Sequence, residues 1–116
     1  MHRYKELEIW KRSINLIVSV YELTKEFPSE EKFGLTNQLK RAVVSVASNI
    51  AEGAGRNSNK EFNQFLGIAM GSILEVETQL IIAEKLSYLK EDQLESLLDM
   101  IDQLIRMTKS LQNKLI

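Results

Sequence analysis

Apolar residues recur at helical spacing through four stretches of the chain, with short polar punctuation between them. From Glu6 to Glu26 two apolar sets run side by side. Leu7, Trp10, Ile14, Ile17, Val18 and Tyr21 form one; Ile9, Leu16, Val20, Leu23 and Phe27 form the other. The polar wedge between them is Glu8, Lys11, Arg12, Asn15, Ser19, Glu22 and Glu26. Phe27-Pro28-Ser29 ends this helix, because the residue before a proline is pushed out of the α region. Ser29-Glu30-Glu31-Lys32 reads as a short capped turn before Gly34.

A second helix is expected from Leu35 to about Ala54, with Leu39, Val43, Val46 and Ile50 turned inward and Gly53 and Gly55 as its stop signal. Ser58-Asn59-Lys60-Glu61 has the form of a capping box, so a third helix should start near Asn59 and reach about Leu86. A fourth, from Glu91 to about Leu115, carries one clean apolar stripe through Leu94, Leu97, Ile101 and Leu104. Four helices with short connections predict an all-α fold: an antiparallel up-down four-helix bundle, one domain over residues 1–116.

The helices differ in how much of their circumference is apolar. A small bundle needs a stripe of only about 100° per helix. The third helix exceeds that, with Met70, Leu74 and Ile81 on one flank of its main stripe and Ile68 and Ile82 on the other. The first helix exceeds it through its second stripe. Large apolar patches are uncommon on monomers, so this surplus points to a subunit interface on helices 1 and 3, with Met70, Leu74 and Ile81 as its candidates.

Composition narrows the chemistry. The 116 residues include 44% hydrophobic and 27% charged residues, the balance of an ordinary globular domain. Fifteen Lys and Arg against sixteen Asp and Glu leave a net charge of -1, which is not the signature of a strongly basic nucleic-acid binder. With no cysteine, disulfides, zinc-thiolate sites and thiol nucleophiles are all absent. The single histidine, His2, lies in what reads as a loose terminus, which argues against imidazole catalysis and multi-histidine metal sites. No cofactor is implied. There is no apolar signal core at the start and no apolar run of membrane-spanning length, so no membrane partner is expected and the cytoplasm is the default location.

Two constellations remain. On the second helix Arg41, Ser45, Asn49, Glu52 and Arg56 are spaced four, four, three and four, which sets all five on one face. Ser72, Glu75 and Gln79 share a face of the third. Antiparallel packing would bring Arg41 to Glu75 or Gln79, and a largely buried polar network with a structural role is the expectation. Catalytic alternatives lack parts: a di-iron bundle wants two Glu-x-x-His units, and Ser45 or Ser48 has no histidine base. Gly53-Ala54-Gly55-Arg56 lacks both the preceding strand and the Gly-Lys-Ser/Thr of a phosphate loop. The second constellation is the turn after the second helix. Residues 34–60 carry Lys40, Arg41, Arg56 and Lys60 against Glu52 alone. Arg56, Asn57, Ser58 and Lys60 stand at a helix start whose free amides favour an anion, which makes them the candidate nucleic-acid or anion contact.

At these residues the sequence resembles a known family. Leu39-Lys40-Arg41-Ala42-Val43-Val44-Ser45-Val46-Ala47-Ser48-Asn49-Ile50-Ala51-Glu52-Gly53, followed by Gly55-Arg56, is similar to the QLRRAAVSIPSNIAEG-x-GR signature of the four-helix bundle proteins encoded in intervening sequences of bacterial 23S rRNA genes, also called the S23 ribosomal protein family. The likeness extends to Leu7-Glu8-Ile9-Trp10-Lys11, Phe27-Pro28, Phe33-Gly34-Leu35, Phe65-Leu66, Ala69, Gly71-Ser72, Glu75, and Leu86-x-Tyr88-Leu89. Ala47 stands where the family often has proline, which should leave the second helix straighter. The chain is also similar to the accessory variability protein of diversity-generating retroelements, a strongly basic pentamer, from which its near-neutral charge departs. The resemblance implies a homopentamer and supplies no catalytic residue. The expected function is a non-enzymatic oligomeric scaffold with RNA or a ribonucleoprotein as partner. The alternatives are an adaptor for another protein and a small enzyme using Arg41, Glu52 and Glu75.

Overall fold

The computed structural model describes residues 2–116 as a rod of 43 × 25 × 19 Å. Its four helices are α1 (Glu8–Thr24), α2 (Leu35–Ala54), α3 (Asn59–Lys85) and α4 (Glu91–Lys114), with 3-10 turns at Tyr4–Glu6 and Ser29–Glu31. Each helix packs on its neighbours in chain order and α1 closes against α4, so α1 and α3 occupy opposite corners. This is the all-α four-helix bundle that the periodicity predicts.

The core is a single cluster fed by all four helices. On α1 the buried line is Ile9, Ser13, Leu16, Val20, Leu23 and Phe27, so the second apolar stripe of the sequence faces inward. Ser13 and Thr24 complete that side by donating their hydroxyls to the carbonyls of Trp10 and Tyr21 (2.7 and 3.0 Å), which makes two polar residues tolerable in the core. The helix starts two residues later than expected, because Leu7 is extended and the preceding turn closes on itself. Tyr4 meets the Trp10 ring edge-on at 5.3 Å. His2 is also tied down, in contrast to the loose segment expected: its amide donates to the Ala54 carbonyl at 2.8 Å, and its ring lies 4.8 Å from that of Phe62.

The seam between α2 and α3 is the most extensive in the molecule, and small residues make it so. Gly53 is not a stop signal. It sits inside α2 with no positive φ, and a Cβ there would come within 2.5 Å of the Phe65 Cβ. Its role is close approach of two backbones. α3 then begins at Asn59 with Ser58 as its cap: the hydroxyl accepts from the Glu61 amide at 3.1 Å and donates to the Glu61 carboxylate.

By length and composition alone α3 is long and apolar enough to cross a membrane. In the bundle it supplies Phe62, Leu66, Ile73, Val76 and Leu80 to the core.

Candidate functional site

The polar residues of α2 and α3 separate into three groups rather than one buried network. At the seam the hydroxyls of Ser45 and Ser72 lie 3.0 Å apart, and the Asn49 amide donates to the Ser45 carbonyl and hydroxyl at 2.8 and 2.9 Å. These short side chains bridge the two helices within the seam. Gln79 is buried beside them in sequence phase, yet its carbonyl oxygen has no hydrogen-bond partner.

Arg41 and Glu75 form the second group, and here the expectation of burial is corrected. Both are exposed, and they form no ion pair among the described residues. They line one open cleft of about 370 Å³ with Gln38, Ala42 and Ser45. The physical reason is the seam itself. Ala42, Ser45 and Ser72 occupy the inner contact, so the long side chains start from the rim and stay in water, where their charges keep full hydration. Arg41 also lines a second cleft, of about 390 Å³, between α1 and α2 with Tyr21, Lys40 and Val44. Lys40 lies over the Tyr21 ring, 5.0 Å from its centroid.

The third group is the α2–α3 turn. Arg56 reaches back to Glu52 (3.3 Å) and lies over the Phe65 ring at 4.7 Å. Ser58 is committed to capping α3, and Glu61 already places a carboxylate at that helix start. Asn57 and Lys60 remain exposed, and Lys60 has no carboxylate partner among the described residues. The turn therefore offers an anion less than its sequence promised, since half of its donors are in use.

The outward face of α3 exposes several large apolar side chains. Exposure reaches 53% at Ile68, 46% at Leu74, 39% at Ile81 and 43% at Ile82, while Met70 is half-buried. Gly67 and Gly71 lie among them, and a Cβ added at either would meet nothing within 4 Å. On α1, Val18 (56%) and Tyr21 (39%) are exposed too.

Two features escaped the sequence. One is an open groove of about 590 Å³ between α1 and α4, with Leu23, Leu97 and Met100 beneath Glu22, Glu26 and Asp92. The other is a clasp at one end of the rod. The Glu31 carboxylate accepts the Leu35 amide at 3.1 Å, capping α2, and the Tyr88 hydroxyl at 2.8 Å. These two bonds, the amide first, hold the Glu31 carboxyl below its ordinary value. The same bond to Glu31 raises the Tyr88 phenol. The sequence marks a turn at Ser29-Glu30-Glu31-Lys32, whereas the pairing of Glu31 with a tyrosine 57 residues away leaves no local trace. Among the described residues, no three His, Cys, Asp or Glu side chains gather where they could hold a metal.

The family model for the 23S rRNA-intervening sequence protein matches residues 5–110. The chain belongs to that family. Among solved structures, a protein of unknown function from the S23 ribosomal protein family of Bacteroides thetaiotaomicron VPI-5482 is similar. It shares 24% identity over 90% of this chain and 95% of its own, with a TM-score of 0.83. That likeness shows the shared fold. No curated protein matches the chain. The 23S rRNA-intervening sequence proteins are thus represented here by a bundle whose polar signature residues sit at a helix seam and its rim, not in an enclosed pocket.

Proposed function

We propose that the protein is a non-enzymatic scaffold that works as a homo-oligomer in the cytoplasm, assembled through the outward faces of α1 and α3. The observation that carries this reading is the outward face of α3. Of its nine exposed positions between Phe62 and Ala83, only Glu75 is charged, and four are leucine or isoleucine. A surface so poor in charge and rich in exposed leucine and isoleucine is costly in water and is normally covered by another protein surface. The copy number of five rests on the family resemblance. Light scattering on the protein at micromolar concentration tests it: five chains of 13.3 kDa in one particle is the expected result. A monomer would overturn it.

The chemistry of a scaffold is binding and display. Repeating one weak contact site around a ring raises its avidity without any new contact. RNA is the second reading, supported by the exposed α2–α3 turn of Arg56, Asn57, Ser58 and Lys60, where Lys60 pairs with no carboxylate among the described residues. Contacts of that type are directed at phosphates, tolerant of sequence and weakened by salt. Gel shift against structured RNA at low salt tests this reading, with Arg56→Gln and Lys60→Gln combined expected to weaken the shift. No shift by the wild type leaves the adaptor for a protein partner. A small enzyme has less support, because Glu52 pairs with Arg56 away from the open cleft that holds Arg41 and Glu75.

A further inference from the structure

We infer that the groove between α1 and α4 seats a basic amphipathic helix of another protein, its apolar anchors facing in and its lysines or arginines along the edges. The inference does not rest on the oligomeric reading, because both walls of the groove belong to one chain. Two serines keep the groove open. Ser19 on α1 and Ser96 on α4 are too short to bridge the helices, and about 590 Å³ stays unfilled between them. Further along the seam Arg12 of α1 donates to Gln103 of α4 and closes it. The open stretch follows α4 from Asp92 to Met100, a rise of about 12 Å or just over two helical turns. That length suits a partner helix that inserts apolar anchors one turn apart.

The lining selects the occupant. Leu23 and Leu97 form a buried floor beside the half-buried Met100, whose flexible thioether chain adapts to different apolar shapes. Val18, 56% exposed, extends this apolar surface to the lip. The rim is acidic on both walls: Glu22 on α1, Glu26 just past its end, and Asp92 in the first turn of α4. No lysine or arginine lines the groove. Glu22 shares its charge with Lys25 at 3.1 Å, and Asp92 accepts the Gln93 amide at 3.0 Å. Glu26 and Asp92 have no cation at ion-pair distance among the described residues. Arg12 is engaged by Glu8 and Gln103, and Lys11 lies outside the lining. Glu95 and Asp99, exposed on α4 beyond the groove, add the same sign. A basic segment is therefore attracted from both walls, and an acidic one is repelled.

Fluorescence anisotropy with labelled helical peptides of about four turns tests the inference. One peptide carries leucines along one face and lysines on both flanks. A second has glutamate for every lysine, and a third keeps the lysines but has serine for every leucine. At low salt the first should bind the wild-type chain at least about tenfold more tightly than either of the others. Glu26→Gln combined with Asp92→Asn should weaken its binding about tenfold, whereas Glu95→Gln with Asp99→Asn, an equal charge change outside the groove, should alter it less than about twofold. Ser96→Trp, which fills the gap, should abolish binding while the helical circular dichroism is kept. Failure of the first peptide to bind, equal binding of the serine peptide, or equal losses in the two double variants would overturn the inference and leave the oligomeric reading untouched. A monomeric wild type that binds the first peptide overturns the oligomeric reading alone. Loss of assembly in the Glu26→Gln, Asp92→Asn protein would assign the groove to a second copy and overturn the inference.

Discussion

α3 and α4 are neighbours of similar length, built from the same periodic code, yet their outer surfaces have little in common. All the exposed positions of α4 are polar, from Glu91 and Asp92 in its first turn to Lys114 in its last. That order also suits the helix dipole, with acids at the N-terminus and bases at the C-terminus. α3 exposes isoleucines, a leucine and two glycines instead, with Glu75 as its one exposed charge between Phe62 and Ala83. Inward, the two helices are equivalent: Ile73 and Ile101 are both fully buried. A helix that only has to fold needs one apolar face. The proposed assembly accounts for the second apolar face of α3 by a surface outside the chain.

The largest effects should come from the inner faces, where the helices do not differ. Ile73→Ala and Ile101→Ala should each cost about 2–5 kcal/mol in denaturant unfolding, since both side chains are fully buried. A large cost on α3 alone would mean that α4 is a dispensable strap. The seam comes next. Gly53→Ala forces a Cβ within 2.5 Å of Phe65 and should cost about 1–3 kcal/mol, although alanine is the better helix former. A more stable Gly53→Ala protein would show that the α2–α3 approach is loose.

Arg41→Met should change stability by no more than about 0.5 kcal/mol, because Arg41 is exposed and strands no buried carboxylate when removed. The smallest effect concerns the clasp. The Glu31 carboxyl is held below its ordinary value of 4.5, so its contribution is present above that pH and is lost as pH falls through the depressed value. Tyr88 is raised above 10.0, so its contribution is present below that pH and is lost as pH rises through the raised value. In Tyr88→Phe, the Glu31 carboxyl should titrate closer to 4.5 in an NMR titration, yet still below it, because the Leu35 amide remains. An unchanged titration would show that the clasp is open in solution.

Helix positions and the identity of the core on α2, α3 and α4 were legible because each has one dominant apolar stripe. α1 was ambiguous for a physical reason. Its true inner face includes Ser13 and Thr24, hydroxyl residues that bury by bonding to their own helix, so a purely apolar reading could not rank the two stripes. The polar site was misjudged differently. Helical spacing placed Arg41 and Glu75 on facing helices, but only the close approach at Ser45, Ser72 and Gly53 decides that long side chains there leave the seam. The surplus on α3 was visible from Met70, Leu74 and Ile81, and the structure adds the open glycines between its two flanks.

The central claim is that α3 carries a second face for assembly and α4 does not. Size-exclusion chromatography with light scattering on Ile82→Glu and Asp102→Lys tests it most directly, since both positions are exposed and each change introduces or reverses one charge. The account predicts that Ile82→Glu falls apart into folded monomers while Asp102→Lys assembles like the wild type. Equal behaviour of the two variants, whether both assembled or both monomeric, would contradict it.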